Sequence, residues 1–322
     1  MVDLGDSRMP RLALLPFALA IAACSPDAPA PQAAAPAPAV EAKPMAVTIG
    51  VLEDRPGATP SEQPRFIVRA LFQKRDAGWT SLEPECTDMS CLASAPADFP
   101  ASVDWTVVHQ GGTRGSVRAT TPAAWQLYAD VGSQELAAGV APPTIGERSM
   151  EFAGNHGVPI YRPLLAVSAP VGADADSWAA AAVSPKAAAA IRVAFRGLFA
   201  NVANCATAGA SDARPITYQD GDIAISNGAA ASTGWSVATA TLKGYRCDGP
   251  SDDTAYAPQT FAVSPAGDAR YLGEGLQLLD ASDFDGDGKS EVVFMITNAN
   301  RGGYDLRYSD FAGQAVFAFN YH

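Results

Sequence analysis

Positive charge is scarce in this chain. Its 322 residues include 22 lysines and arginines against 34 aspartates and glutamates, which gives a formal net charge of −12. A polyanion such as nucleic acid, or a surface of anionic lipid headgroups, would be repelled by such a protein rather than attracted to it. We therefore exclude nucleic acid as a partner, whereas a cationic ligand is allowed.

Histidine is also rare, and the usual zinc motifs are missing. The three histidines, His109, His156 and His322, are widely separated, and no two cysteines are spaced as C-x-x-C. A structural zinc site needs four nitrogen or sulfur ligands held close together. The sequence therefore argues against zinc.

Signature motifs of several enzyme classes are absent as well. The chain has no H-E-x-x-H, no G-x-S-x-G, no P-loop and no S-x-x-K. A catalytic group assembled from distant residues, such as the carboxylate pair of a glycosidase, leaves no local signature. Hydrolysis of a glycan or peptide in the cell envelope therefore stays open as an alternative function, with no residues assigned to it.

The apolar run near the N-terminus is too short to span a bilayer. It extends from Leu12 to Ala23, follows Arg8 and Arg11, and has the layout of a secretory signal. We predict that residues 1–23 are a signal peptide that is absent from the mature protein.

The end of that run, Ile21-Ala22-Ala23-Cys24, resembles a bacterial lipobox. The resemblance implies that Cys24 is acylated, becomes the new N-terminus and anchors the protein in a membrane. Ser25 stands where an aspartate usually retains such lipoproteins in the inner membrane, so we expect an outer-membrane lipoprotein facing the periplasm or the cell surface. An ordinary cleavage site with a chance cysteine is the alternative.

Composition divides the rest of the chain into a linker and a folded part. Residues 24–44 are rich in alternating proline and alanine, which favours an extended, semi-rigid spacer. We assign residues 45–322 to one mainly-β globular domain. The polar, alanine-rich stretch 168–184 is a candidate boundary within it.

Four cysteines remain after Cys24. In an exported chain an even number suggests disulfides, and four cysteines allow three connectivities. We favour the pairs Cys86 with Cys91 and Cys205 with Cys247.

Alternating apolar residues predict strands over most of the domain. In "RFIVRALFQK", strict alternation places Phe66, Val68, Ala70 and Phe72 on one face and Ile67, Arg69, Leu71 and Gln73 on the other. A hairpin is expected from this run to Trp79. Another is expected around Gly111-Gly112, from Trp105–Val108 to a return strand near Val117.

One segment has the pattern of an amphipathic helix, "SPKAAAAIRVAFRGLFANV". Ser184 suits the N-cap and Pro185 the first helical position. Apolar residues recur on one side at Ile191, Phe195, Leu198, Phe199 and Val202. The fold class we predict is therefore mainly β with one clear amphipathic helix, in a β-propeller-like or β-sandwich architecture.

The stretch "DASDFDGDGKSEVVF", Asp280 to Phe294, carries the clearest chemical signal. Counting from Asp283, the pattern D-x-D-x-D-G-x-x-E places carboxylates at alternate positions of a tight loop, the arrangement that oxygen-seeking cations such as calcium require. Gly286 and Gly288 permit the positive φ angles of such a loop. An ordinary solvated turn is the alternative, but inward-facing aspartates repel one another unless a cation neutralises them.

The ending of the loop distinguishes between families of calcium site. An EF-hand needs a bidentate glutamate at position 12, where this chain has Phe294. A β-like run follows Glu291 instead, and the combined pattern resembles the calcium loops of FG-GAP (integrin-like) and VCBS repeats. The resemblance implies structural Ca²⁺ held by Asp283, Asp285, Asp287, the backbone carbonyl of Lys289, and Glu291. Those families commonly have aspartate at the last of these positions.

The chain as a whole also resembles exported proteins of proteobacteria, through phrases such as "IYRPLLAVSAP", "GYRCDGP", "RGGYDLRY" and "FAFNYH". The hypothesis that unites these features is a lipid-anchored, calcium-stabilised envelope protein without catalytic activity. We expect it to bind an envelope protein or a glycan, or to act as a scaffold.

Overall fold

The computed structural model describes residues 46–55, 65–76, 78–82, 92–93, 99, 102–120, 125–126, 132–139, 141–153, 158–171, 176–203, 215–242, 258–298 and 301–320. Several predicted features lie outside these residues: the signal peptide, the lipidation site Cys24, the linker, the four cysteines Cys86, Cys91, Cys205 and Cys247, and the histidines His156 and His322. Pro44–His322 forms one compact unit. Within the described ranges, no helix combines the length and apolar character that crossing a membrane would require.

Strands dominate the secondary structure. In chain order the strands of the described part are β1 (Thr48–Arg55), β2 (Arg65–Arg75), β3 (Gly78–Ser81), β4 (Leu92–Ala93), β5 (Ser102–His109), β6 (Gly112–Thr120), β7 (Trp125–Gln126), β8 (Ser133–Glu135), β9 (Leu164–Val167), β10 (Ala179–Ala181), β11 (Val202–Ala203), β12 (Pro215–Ile216), β13 (Ile223–Ala230), β14 (Ser236–Leu242), β15 (Gln259–Val263), β16 (Ala269–Glu274), β17 (Leu276–Ser282), β18 (Glu291–Asn298), β19 (Arg301–Tyr308) and β20 (Gly313–Asn320). The α-helix α1 spans Pro185–Leu198, and a short 3-10 helix spans Asp220–Asp222.

Most of these strands form three antiparallel sheets. A seven-stranded sheet has the order β3-β2-β1-β9-β5-β6, with β8 also paired to β2. A five-stranded sheet has the order β10-β13-β14-β15-β16, and a four-stranded sheet is the meander β17-β18-β19-β20. The seven-stranded sheet is therefore built from strands that precede the stretch 168–184, and the two other sheets from strands that begin within or after it.

The sheets are stacked, with the four-stranded sheet in the middle. On β18, Val293 and Met295 pack into a core shared with the seven-stranded sheet. The alternate residues Val292, Phe294 and Ile296 pack into a second core shared with the five-stranded sheet. Because both faces of β18 are buried, its sequence is a continuous apolar run rather than an alternating one.

The observed architecture confirms the predicted fold class, mainly β with a single α-helix among the described residues. The stacked open sheets are compatible with the sandwich-like arrangement, and the strands that the structure describes close no barrel. Both predicted hairpins are present, since β2 pairs with β3 and β5 pairs with β6.

The predicted helix is present and covers the outer face of the five-stranded sheet. The Ser184 hydroxyl accepts a hydrogen bond from the backbone N–H of Ala187 at 3.1 Å, as an N-cap should. Ile191 and Phe195 are fully buried against β14 and β15. Leu198, expected on the same face, is instead 44 % exposed, because α1 ends at this residue.

Candidate metal centre

The acidic loop connects β17 to β18 and is fixed to the protein core by one aromatic side chain. Phe284, the second residue of the loop, is only 2 % exposed and packs between the four-stranded and seven-stranded sheets. Gly286 and Gly288 adopt φ angles of 77° and 87°, which a residue with a Cβ rarely adopts. The anchor and the two glycines together wind the loop into a compact turn.

The structure brings three of the predicted ligands together. Asp283, Asp285 and Asp287 each offer a carboxylate oxygen, and these oxygens all lie within 4.8 Å of one another. Oxygens of this kind, gathered within such a distance, are the donor set that a hard cation such as Ca²⁺ prefers. The donor set of the loop therefore fits calcium.

Backbone N–H groups of the loop hold the three carboxylates in place. Asp283 accepts from Gly286 at 2.7 Å, from Asp287 at 3.1 Å and from Gly288 at 2.9 Å. Asp285 accepts from the backbone of Asp287 at 3.1 Å, and Asp287 accepts from that of Lys289 at 2.8 Å. These bonds orient the carboxylates without adding a full positive charge, so strong mutual repulsion remains.

Lys74 of β2 provides the positive charge that contacts the triad. Its ammonium group donates to Asp285 and lies 5.5 Å from the centre of the Trp79 ring. Burial disfavours the charged form, but the hydrogen bond and charge of Asp285, with the charges of Glu291 and Asp287, raise the pKa of Lys74 above its ordinary value. One lysine offsets only part of the charge of three aspartates.

A β-bulge in β2 turns Lys74 toward the loop. Ile49 of β1 pairs with Phe72, whereas Gly50 pairs with Ala70, so Leu71 is an extra residue in β2. After Leu71 the side chains of β2 therefore switch faces relative to a regular strand. Phe72 and Lys74 lie on the face of the sheet that carries Arg69. The strict alternation expected from the sequence, with Phe72 on the face of Ala70, is therefore wrong at this point.

Glu291 lies beneath the loop rather than among the three aspartates. Its carboxylate accepts from the backbone N–H of Phe284 at 2.9 Å and from the indole N–H of Trp79 at 3.2 Å. Burial, together with the nearby charges of Asp285 and Asp287, raises the pKa of Glu291 to about 8, although the two hydrogen bonds act in the opposite direction. In this arrangement Glu291 supports the fold of the loop from below.

The side chain of Lys289 contacts a residue outside the triad. The ammonium group is half exposed and pairs with Asp310 in the turn between β19 and β20. The hydrogen bond and charge of Asp310 raise the pKa of Lys289. The contribution of its backbone carbonyl to a cation site stays a prediction.

A contact with Asp176 joins the loop to the segment that precedes the five-stranded sheet. Asp176 accepts from the backbone N–H of Ser290 at 3.0 Å and from its hydroxyl at 2.7 Å. Ser177, the next residue, has a φ of 48°, which is uncommon for a residue other than glycine. The acidic loop is thus attached to all three sheets.

The supporting residues were not apparent from the sequence. Lys74, Trp79 and Asp176 lie 211, 212 and 114 residues from their partners in the loop. No local pattern identifies them, because only the stacking of the sheets brings them to the loop.

In comparisons with family models, with curated proteins and with solved structures, the chain matches none. The resemblance to FG-GAP and VCBS repeats therefore rests on the loop Asp283–Glu291 and the β-like run that follows it.

Proposed function

We propose that the loop Asp283–Glu291 binds Ca²⁺ as a structural ion. The observation that carries the proposal is the convergence of three carboxylates whose charge the ion pair with Lys74 offsets only in part. A bound divalent cation would remove the remaining repulsion and fix the loop against both neighbouring sheets. Its effect is stabilisation by mass action, because the folded loop binds the ion and the unfolded chain does not.

The wider function that we propose is a lipid-anchored, non-catalytic module of the cell envelope that binds a protein or glycan partner or acts as a scaffold. The resemblance of Ile21–Cys24 to a lipobox and the acidic balance of the sequence support this proposal. A cleft that is lined by the aromatic side chain of Trp178, described below, favours a binding module over the alternative of an envelope hydrolase. Extracytoplasmic calcium at about 10⁻⁴ to 10⁻³ M would suffice for a structural site of modest affinity.

Thermal unfolding of the mature chain tests the calcium site directly. The melting temperature should fall when EGTA removes the ion and should recover when calcium is added in excess. The double variant Asp285→Ala with Asp287→Ala should lose this response.

A matched variant controls for the loss of two negative charges. Asp104 and Asp268 are exposed aspartates in other parts of the structure, and Asp104→Ala with Asp268→Ala should keep the full calcium response. No shift of the melting temperature with calcium in the wild-type chain would refute the proposal. An equal shift in the loop variant would also refute it.

A further inference from the structure

A cleft lies where the three sheets meet, and the three aspartates of the loop do not line it. Its volume is about 410 Å³, which is within the range of sites for small molecules. The seven-stranded sheet contributes His109 and the turn residue Gln110, and the four-stranded sheet contributes residues of β17. Trp178 and β10 line the side formed by the five-stranded sheet.

One side of this cleft, which we call its floor, is lined by small residues. Ala179 and Ala180 of β10 and Gly228 and Ala229 of β13 all line it. Because these side chains occupy little volume, they leave open space in the cleft that Trp178 also lines. A flat or ring-shaped body can lie on such a floor and contact the aromatic ring.

Arg162 places a partly buried positive charge on the wall. Its Nη2 donates to the carbonyl oxygens of Leu278 at 3.4 Å and Leu279 at 2.6 Å, and the guanidinium lies 4.7 Å from the centre of the Phe152 ring. Its Nε is buried with no hydrogen-bond partner. In the part of the chain that the structure describes, no carboxylate forms an ion pair with it.

Burial lowers the pKa of Arg162, while Asp280 and Glu151 raise it from a distance. Buried charges in proteins are normally paired, because an uncompensated charge is costly to remove from water. Arg162 lines the cleft without an ion pair to any described carboxylate, so the carboxylate of a ligand next to it would supply a direct counter-charge.

Asp280 also lines the cleft, but its carboxylate is directed toward protein donors. It accepts from the backbone N–H of Gln110 at 2.9 Å and from that of Ala281 at 2.9 Å, and it lies 3.7 Å from Nδ1 of His109. These contacts reduce the repulsion that Asp280 exerts on an incoming anion. The positive charge of Arg162 and the ring of Trp178 then define what the cleft accepts.

We propose that this cleft binds a small organic carboxylate whose body is a ring, with the carboxylate next to Arg162 and the ring on the Ala/Gly floor against Trp178. Two sources share this chemistry, an acidic sugar and an aromatic carboxylic acid. The site is independent of calcium binding by the loop, so either proposal can fail without the other.

Binding to the mature chain is measured by calorimetry and by tryptophan fluorescence with four probes. Glucuronate and benzoate carry the carboxylate, and methyl glucoside and benzyl alcohol are their neutral counterparts. One carboxylate should bind about tenfold or more tightly than its neutral counterpart, because a charge-assisted hydrogen bond contributes at least that much. Binding of glucuronate alone identifies an acidic sugar, and binding of benzoate alone identifies an aromatic acid.

Two variants locate the binding in the cleft. Arg162→Met removes the charge while keeping a long side chain, and it should weaken binding about tenfold or more. Ala180→Phe fills the cleft from an exposed position and should abolish binding. This variant tests the site independently if Arg162→Met does not fold. Val193→Phe, at a position 74 % exposed on α1, is the control and should bind normally.

The proposal is overturned if neither carboxylate binds, or if the neutral probes bind equally well. It is also overturned if Ala180→Phe binds as tightly as the wild-type chain.

Discussion

Lys74 and Asp285, which are 211 residues apart in the chain, form an ion pair that joins the seven-stranded sheet to the acidic loop. Asp285 is nearly buried, with a side chain 4 % exposed, and Lys74 is about one-third exposed. The pair therefore holds the loop in place and engages a carboxylate that a bound cation would also use. The ion pair should therefore increase the stability of the calcium-free protein and decrease its affinity for calcium.

Replacing Lys74 should separate these effects. Lys74→Met removes the competing positive charge, so calcium affinity should rise about tenfold, the equivalent of about 1.4 kcal/mol. Without calcium the same variant should be less stable by about 1 kcal/mol, because it loses a partly buried ion pair. Calorimetric titration and unfolding in EGTA measure the two quantities.

Lys289→Met serves as the control for Lys74, because its ammonium group pairs with Asp310 outside the triad. Its calcium affinity should change less than that of Lys74→Met. Unchanged or weaker calcium binding in Lys74→Met would show that Lys74 does not compete with the ion.

The buried ion pair between Glu53 and Arg69 should make the free energy of unfolding decrease at low pH. Burial alone would raise the pKa of Glu53, but the charge and hydrogen bonds of Arg69, with help from Arg55 and Tyr304, lower it to about 2. A carboxyl group whose pKa is lower in the folded state than in the unfolded chain stabilises the fold. For Glu53 this stabilisation is present at pH values above 4.5, the pKa of the group in the unfolded chain. This stabilisation, about 3 kcal/mol, should be lost as the pH falls from 4.5 to 2.

Urea unfolding at a series of pH values measures this loss. In Glu53→Gln the dependence of stability on pH between 4.5 and 2 should be smaller. The variant should already be destabilised at pH 7 by about 3 kcal/mol or more, because the charge of Glu53 no longer balances that of the buried Arg69. An identical slope in the variant and the wild-type chain would assign the acid sensitivity to other carboxylates.

Phe284 should be essential both to the fold and to the loop. Phe284→Ala leaves a cavity between two sheets and should lower the free energy of unfolding by about 3–5 kcal/mol. Calcium affinity should fall as well, because the loop loses its anchor. Urea unfolding and calorimetry provide the measurements, and Val193→Ala at an exposed helical position should stay within about 0.5 kcal/mol of the wild type.

The proposed lipid anchor at Cys24 predicts where the protein is found in the cell. Cys24→Ser should move it from the membrane fraction to the soluble periplasm, because no thiol is left to acylate. Ser25→Asp should keep it membrane-bound but shift it to the inner membrane. Fractionation followed by immunoblotting checks both results, and unchanged membrane association of Cys24→Ser would count against lipidation.

Local patterns in the sequence predicted the secondary structure well. The helix was recognisable because Ser184, Pro185, Ile191 and Phe195 are spaced as a capped amphipathic helix requires. The β5–β6 hairpin was recognisable because glycine occupies its turn. Each of these signals lies within a few residues of the structure that it specifies.

Features that depend on the stacking of the sheets could not be predicted. The alternating pattern of β2 contains no sign of the bulge at Leu71, because the bulge depends on its pairing with β1. The loop aspartates were identified by their spacing, but the positions of Lys74 and Trp79 depend on how distant strands meet. The same limit applies to the cleft, which is formed by residues from three sheets.

The position of the four-stranded sheet also has a consequence for folding cooperativity. The contacts within this C-terminal meander are local, so its strands can pair early. Both of its faces nevertheless stay apolar and uncovered until the seven-stranded and five-stranded sheets are in place. We therefore expect the three sheets to acquire their stability together, in a single unfolding transition.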